Sequence, residues 1–546
     1  MANRKYIYAL ILGIIVFAPS FTIILTANLA NPTITLQTST DDNISIIFDV
    51  IKKPTTSSDS PIALILHGFS GNRKMMKMMG LALADKGFIS VLVDLRGHGD
   101  SGGAMGAVNN FTLDVKAVID ELNNLGVGNT SNVVFIGHSM GGGVAVNISG
   151  TYPSAAATIG IAPAISSSAV NLTNPRNLLL IISTGDAIID NQMVINAFYS
   201  SLNGTGDSNI IYYAGGSEKM LFIDQASDHL SIIYKTAVIN EVVKWATRSA
   251  LGSELELGFN PDILGAMIMI SLIGGVVILS SIIALVFDAF KRTGVTPGVS
   301  NIVNYKVLLK DSVAGFLAAG IVGALLSLLL SVLLLVASPL FFTDFVTALF
   351  LGNSLVVGVY ALINLKSELK EFSVSQFIRK SLKTVNVRLE FTIGILTALA
   401  LTFLVFITVG FNTSSTFSTS TLRLIFLPLY IFLYSVTFLF YEIYFRGLIR
   451  AKLGCGGWAA ITAAIIQVTL VLSSLLLQLF IVTLILQQNI SFLILGLPLI
   501  AILIVLSTVI SELFYEKTGG WIGQIISNAT ILATMGVALS NIIYLF

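Results

Sequence analysis

Ser139, His229 and Asp186 are the side chains of this sequence whose type and setting suit covalent chemistry. Ser139 is the centre of Gly137-His138-Ser139-Met140-Gly141, which follows the apolar run Val133 to Ile136 and precedes a helix expected to start near Gly142. A serine between strand and helix sits on a sharp, strained turn. Glycines two residues to each side let neighbouring backbone pass while the hydroxyl points outward. A serine hydroxyl is a weak nucleophile near neutral pH, so it needs an imidazole within hydrogen-bond reach and a carboxylate to hold that imidazole. The chain has four histidines. His67 precedes a turn expected to supply an amide donor, His98 lies in the loop after the next strand, and His138 adjoins the serine itself. That leaves His229, in Ala226-Ser227-Asp228-His229, before a helix expected over Ser231 to Ser249.

The carboxylate is chosen by position on the sheet. Asp186, Asp190, Asp207, Glu218, Asp224 and Asp228 all lie between Ser139 and His229. Thr184-Gly185-Asp186 follows the apolar strand Leu178 to Ser183, and the C-terminal ends of strands are where open α/β sheets meet ligands. Asp186 is therefore preferred. Asp190 suits the N-cap of the next helix, and Asp228 can at most flank the base. The oxyanion of a tetrahedral intermediate needs two backbone N–H donors, assigned here to Met140 and Phe69, whose side chains can equally be read as pocket lining.

These residues must be carried by alternating strands and helices. Strand Ile62 to Leu66 runs into His67-Gly68-Phe69, and a helix follows over about Lys74 to Lys86. Strand Phe88 to Leu95 ends in Arg96-Gly97-His98-Gly99-Asp100-Ser101-Gly102, a helix covers about Thr112 to Leu125, and another strand covers Ala157 to Ile161. Such alternation predicts a mostly parallel sheet with helices on both faces. In His67-Gly68-Phe69, the run Val91 to Gly102 and Gly137 to Gly142, the segment resembles the α/β-hydrolase superfamily over roughly two-fifths of the chain. The resemblance implies the chain order Ser, acid, His, and acyl transfer from an ester, thioester or amide to water through a seryl intermediate. Between Ile161 and Leu178 there is little room for the helical lid that lipases and many relatives insert there. The expectation is a lidless site, open to water or to a membrane surface.

The rest of the chain is mostly hydrocarbon. Of 546 residues 55% are hydrophobic and 11% charged, far outside the range of soluble domains. A net charge of +1 with no basic face excludes nucleic acid, and a single cysteine, Cys455, excludes a disulfide framework and a thiolate metal cluster. No cofactor or metal is expected. Residues 1–30 read as a transmembrane signal-anchor, because the apolar run Tyr6 to Leu29 is too long for a signal peptide and Ala27 and Ala30 are misspaced for cleavage. Residues 31–258 form the hydrolase-like domain. Residues 259–390 hold helices two to four with basic loops, and 391–546 hold helices five to nine. The nine spans are placed at Tyr6–Leu29, Ile263–Val286, Val313–Val336, Leu340–Leu365, Phe391–Phe411, Leu424–Tyr441, Trp458–Leu486, Ile490–Ile510 and Trp521–Leu545. Arg4 and Lys5, Lys291 to Lys310, Lys366 to Lys383, and Arg446 to Lys452 fall in alternate connections, which puts the N-terminus in the cytoplasm and the large domain and C-terminus outside a cell membrane. The exported segment holds N-x-S/T acceptors starting at Asn43, Asn110, Asn129, Asn147, Asn171 and Asn203.

Glu442 and Arg446 share one helix face, in Tyr441-Glu442-Ile443-Tyr444-Phe445-Arg446-Gly447, and read most simply as an ion pair at the membrane interface. With Thr518-Gly519-Gly520-Trp521, this stretch resembles the CAAX-protease and bacteriocin-processing (Abi) family over about the last third of the chain. The chemistry of that family is missing: its first catalytic glutamate falls at Tyr441, and its histidines fall near Val471 and at Asn528, with no His after His229. The bundle is therefore expected to anchor, contact lipid or bind a partner. The resulting expectation is a membrane-anchored serine hydrolase acting on a small-molecule, lipid or peptide acyl substrate, in contact with membrane lipid. The competing readings are a receptor or scaffold built from two relic folds, which an intact Ser, Asp and His set disfavours, and a protease acting within the membrane, which the missing histidines disfavour. Oligomeric state leaves no signature in the sequence.

Overall fold

Helix α1 (Ala2–Ala30) leads into a hairpin of β1 (Thr33–Ser39) and β2 (Ser45–Ile51) that the apolar patterning alone did not single out. There follow β3 (Pro61–Leu66), α2 (Lys77–Asp85), β4 (Ile89–Val93), α3 (Phe111–Asn124), β5 (Asn129–His138), α4 (Met140–Ser149), β6 (Ala155–Ile161), β7 (Leu178–Ser183), α5 (Asn191–Leu202), β8 (Tyr212–Ala214), β9 (Ser217–Asp224) and α6 (Thr236–Leu251). The computed structural model describes residues 2–105, 110–152, 155–289, 305–368, 387–413, 416–453, 457–486 and 497–543.

The nine strands form one sheet in the order β1-β2-β4-β3-β5-β6-β7-β9-β8. The pairs from β4 through β3, β5, β6 and β7 to β9 are parallel, and the outer pairs are antiparallel. Strands β3, β4 and β7 are buried at every position, as continuous apolar runs covered on both faces must be. Alternate residues of β3 serve the two faces: Ala63 and Ile65 pack with Met79, Val238 and Trp245 of α2 and α6, while Ile62 and Leu64 pack with Val118 and Leu122 of α3. This is the α/β-hydrolase fold. The β6 to β7 connection holds one short 3-10 turn, Ser167–Ala169, and no lid helix.

The second part is a bundle of α7 (Pro261–Ala289), α8 (Tyr305–Ala337), α9 (Phe341–Glu368), α10 (Val387–Val405), α11 (Thr421–Glu442), α12 (Gly457–Leu486), α13 (Leu497–Thr518) and α14 (Ile522–Leu539). Helices α10 and α11 run on as π-helical turns, Phe406–Gly410 and Ile443–Arg450. Eight helices among the described residues, α1 with α7 to α12 and α14, are long and apolar enough to cross a membrane. Of the span expected over Ile490 to Ile510, residues 490–496 lie outside the described residues, and the rest belongs to α13. Helix α1 packs closely on α7: a Cβ on Gly274 would stand 2.8 Å from the amide nitrogen of Phe17, and the hydroxyls of Ser20 and Ser271 meet at 2.8 Å. Small residues let helix backbones approach in this way.

The hydrolase domain sits on one end of the bundle through polar and aromatic contacts. Arg423, fully buried at the start of α11, donates to the carbonyls of Gly97 at 2.9 Å and Ser540 at 3.1 Å. The Lys77 ammonium donates to the Phe411 carbonyl at 2.8 Å and lies 3.9 Å from the Phe411 ring centre. Asp100 accepts from the Thr419 amide at 2.9 Å, and Met105 and Ile543 form a backbone bridge. Nothing in the sequence marks Arg423 as a junction residue, because its partners are carbonyls from two distant loops.

The strand-to-helix turn at Ser139 admits only glycine at its flanks. A Cβ on Gly137 would lie 2.0 Å from the Gly141 carbonyl oxygen, and a Cβ on Gly141 would lie 2.4 Å from that of His67. Both contacts are with backbone, which cannot swing aside. Gly137→Ala is expected to cost about 2 kcal/mol or more and to lower the thermal unfolding midpoint of the hydrolase domain. Gly204→Ala, where an added Cβ meets nothing within 4 Å, is expected to leave the midpoint in place.

Candidate active site

Strand β5 ends at His138, and Ser139 turns the chain into α4 with φ 52° and ψ −118°, a positive φ that a side chain rarely adopts. Its hydroxyl makes no hydrogen bond to the helix it caps. Instead Ser139 Oγ lies 2.9 Å from His229 Nε2, and His229 Nδ1 lies 2.7 Å from Asp186 Oδ2. A carboxylate can only accept, so the Nδ1 proton points at Asp186. Nε2 is then the bare nitrogen, and it accepts the serine proton.

Asp186 is held at the end of β7 by its own loop. Its Oδ1 accepts from the amides of Ile188 at 2.8 Å and Ile189 at 3.0 Å, leaving Oδ2 for His229. Burial pushes this carboxyl up, but the hydrogen bonds from His229 and the Ile189 amide outweigh it and hold the group below the ordinary carboxylate value. The loop of the base is laced to the loop of the acid: Ser183 Oγ donates to the Ser227 carbonyl at 2.6 Å, and Thr184 Oγ1 donates to that of Gln225 at 2.6 Å. Asp190 caps α5 by accepting from the Gln192 amide, and Asp228 accepts from the amides of Leu230 and Ser231. Neither competes for the imidazole.

The other three histidines are buried and positional. His138 Nε2 donates to the His229 carbonyl at 2.8 Å, with the two rings 4.8 Å apart; burial, then the neighbouring His229, pushes it down to about 3. His67 donates from Nδ1 to the Gly68 carbonyl and accepts at Nε2 from the Leu95 amide, and burial lowers it. His98 donates from Nδ1 to the Arg96 carbonyl, and burial takes it well below the ordinary range. All three are neutral struts. A network the sequence reading did not foresee braces the turn after β3: Arg73 bonds Asp94 and lies 3.0 Å from both Asp49 and Asp100.

The two expected amide donors flank the serine. Met140 is the first residue of α4, where an N–H has no carbonyl partner within the helix. Phe69 follows β3 in a turn so close to Ser139 that a Cβ on Gly68 would lie 3.0 Å from the Ser139 Cβ. The Phe69 ring stands edge-on to Phe341 of the bundle, at 6.3 Å.

Residues 58–177 match the model of the family described as serine aminopeptidase, S33. The matched segment includes Ser139 and stops before Asp186 and His229. A protein of Mycobacterium phage D29 named "Putative non-heme haloperoxidase" is 33% identical over 101 residues, 18% of this chain. The match takes in 34% of that protein, so this chain spans about a third of the relative's length. Among solved structures, the esterase Pf2001 of Pyrococcus furiosus is 18% identical, covering 41% of this chain and 95% of its own, with a TM-score of 0.34. The α/β hydrolase GrgF from Penicillium sp. sh18 is 14% identical over 40% of this chain and 99% of its own, with a TM-score of 0.32.

The site is lidless within its own domain, and helix ends of the bundle stand over it. Ser139 and His229 face a cavity of about 730 Å³ whose far walls are the ends of α7, α9, α10, α13 and α14. The roof could not be read from the sequence, since its parts lie 120 to 400 residues away from Ser139. In the bundle itself, Arg446 lies 3.4 Å from Glu442 and 2.7 Å from Glu512, all three buried, so the expected interface pair is an internal network with a carboxylate from α13.

The lowered Asp186 sets a pH signature. Its unfolded value is the ordinary 3.8 and its folded value is lower, so its ionised form stabilises the fold fully well above pH 3.8. That contribution is lost as pH falls through the folded value. The stability advantage of the natural protein over Asp186→Asn, read as a difference in unfolding midpoint, is expected to be constant at neutral pH and to shrink only below pH 3.8.

Proposed function

We propose that this protein is a membrane-anchored serine hydrolase that cleaves an ester, thioester or amide outside the cytoplasm. The observation that carries the reading is the pair of hydrogen bonds from Ser139 through His229 to Asp186, made on a turn whose left-handed serine leaves its hydroxyl unused by the helix. In this mechanism Ser139 Oγ attacks the acyl carbon while its proton passes to His229 Nε2. The amides of Met140 and Phe69 receive the negative oxygen. The bond to the leaving group breaks, and His229 returns the proton to it. Water then adds to the seryl ester by the same route, releasing the carboxylic acid and restoring the serine hydroxyl.

Sidedness is supported by the helix ends that meet the hydrolase domain. These are the starts of α7, α9 and α11 and the ends of α10 and α14, where Lys and Arg are scarce, while Arg4, Lys5, Lys306, Lys310 and Lys452 lie at the opposite ends of their helices. We read the bundle as a catalytically degenerate relative of the CAAX-protease family. Tyr441 and Asn528 stand where that chemistry would need an acid and a base, and they bond Asn353 and Ser511 instead.

A fluorophosphonate probe is expected to label the protein at Ser139 and to lose all labelling in Ser139→Ala; labelling that persists in the alanine variant overturns the assignment. Asp186→Asn is expected to lower kcat/KM on short esters roughly a thousand- to ten-thousandfold, because an amide cannot hold the imidazole in the required tautomer.

A further inference from the structure

We infer that the roofed cavity is an acyl-chain chamber and that the substrates are long-chain acyl esters drawn from the membrane. This rests on the hydrolase reading above and adds a substrate class to it.

The chamber is built by both parts of the chain. From the hydrolase domain, Met75 and Met78 reach it beside the Ser139 turn. From the bundle, Gly265, Ile268 and Met269 present one face of the first turns of α7, and Met535 and Leu539 lie one turn apart on α14. Phe342 and Ile502 close it from α9 and α13. Its volume of about 730 Å³ falls within the roughly 300–1,000 Å³ usual for organic ligands.

The lining decides what fits. Among the described residues that border the cavity there is no Lys, Arg or Glu. Its ionisable groups are His138 and His229 at the site, Asp228, which is engaged by its own loop, Asp262, and Tyr234, whose hydroxyl donates to the Thr413 carbonyl. A peptide drawn in here would bury an N–H and a C=O at every residue, and the few hydroxyls of the lining, such as those of Tyr234, Thr413 and Thr416, are too few to meet them all. A hydrocarbon chain carries no such groups, so it leaves nothing unpaired in the chamber and exchanges one apolar surrounding for another. Only the carboxyl end of such a molecule is polar, and that end meets Ser139. Four of the helices whose ends border the chamber, α7, α9, α10 and α14, are apolar enough to lie in lipid, so the bilayer is the nearest source of such a chain.

Gly265 offers a way to fill the chamber without disturbing its walls, since a Cβ there meets nothing within 4 Å and alanine, leucine and phenylalanine all favour the helix over glycine. The full-length protein, reconstituted in vesicles of phosphatidylcholine, is assayed on p-nitrophenyl butyrate and p-nitrophenyl palmitate as the series Gly265→Ala, Gly265→Leu and Gly265→Phe. The natural protein is expected to turn over palmitate with the higher kcat/KM, and the palmitate-to-butyrate ratio is expected to fall stepwise with side-chain size, by about tenfold or more at Phe. A ratio that stays flat across the series, including equal loss of both activities, overturns the chamber, as does a natural protein that prefers butyrate. Turnover of butyrate that survives Ser139→Ala sinks the hydrolase reading instead.

Discussion

Everything at the site depends on backbone packed against backbone around one serine. The carbonyls of Gly141 and His67 occupy the space that side chains at Gly137 and Gly141 would need, and this crowding holds Ser139 at a positive φ. A relaxed serine at a helix N-terminus would turn its hydroxyl to a free amide of the first turn. Here the strained turn aims it at His229, and the parallel sheet supplies the stiffness that keeps the strain in place.

The imidazole is positioned from three directions. Asp186 holds Nδ1, the donated proton of His138 holds the backbone carbonyl of His229, and the hydrogen bonds from Ser183 and Thr184 hold the loop on which it sits. Burying three further histidines would be costly if they carried charge, and each is instead a neutral donor to a nearby carbonyl. The same economy governs the junction, where Arg423 meets the carbonyls of Gly97 and Ser540 and so ties the loop after β4 to the end of α14.

The relation between the two parts changes what the absent lid means. A short connection between β6 and β7 leaves the serine uncovered by its own domain, and the bundle covers it with helix ends. Docking is polar at the rim, through Lys77, Asp100 and Arg423, and apolar over the cavity. The Ser139 hydroxyl thereby faces a cavity shared by the two parts of the chain.

Much of this was legible in the amino-acid order. The bounds of strand β7 are plain in the sequence; glycine spacing and a strand end are local signals that mark Ser139 and Asp186, and a chain of four histidines leaves His229 by elimination. The apolar spans were equally plain, since length and hydrocarbon content need no partner to be recognised. What only the tertiary structure decided were contacts between residues far apart in sequence: Arg73 among three aspartates, Arg446 with Glu512, Arg423 with two carbonyls, and the roof over the serine. A charged or apolar residue looks the same in sequence whether it faces solvent, lipid or a distant loop, and only the packing of one part of the chain on another selects among them.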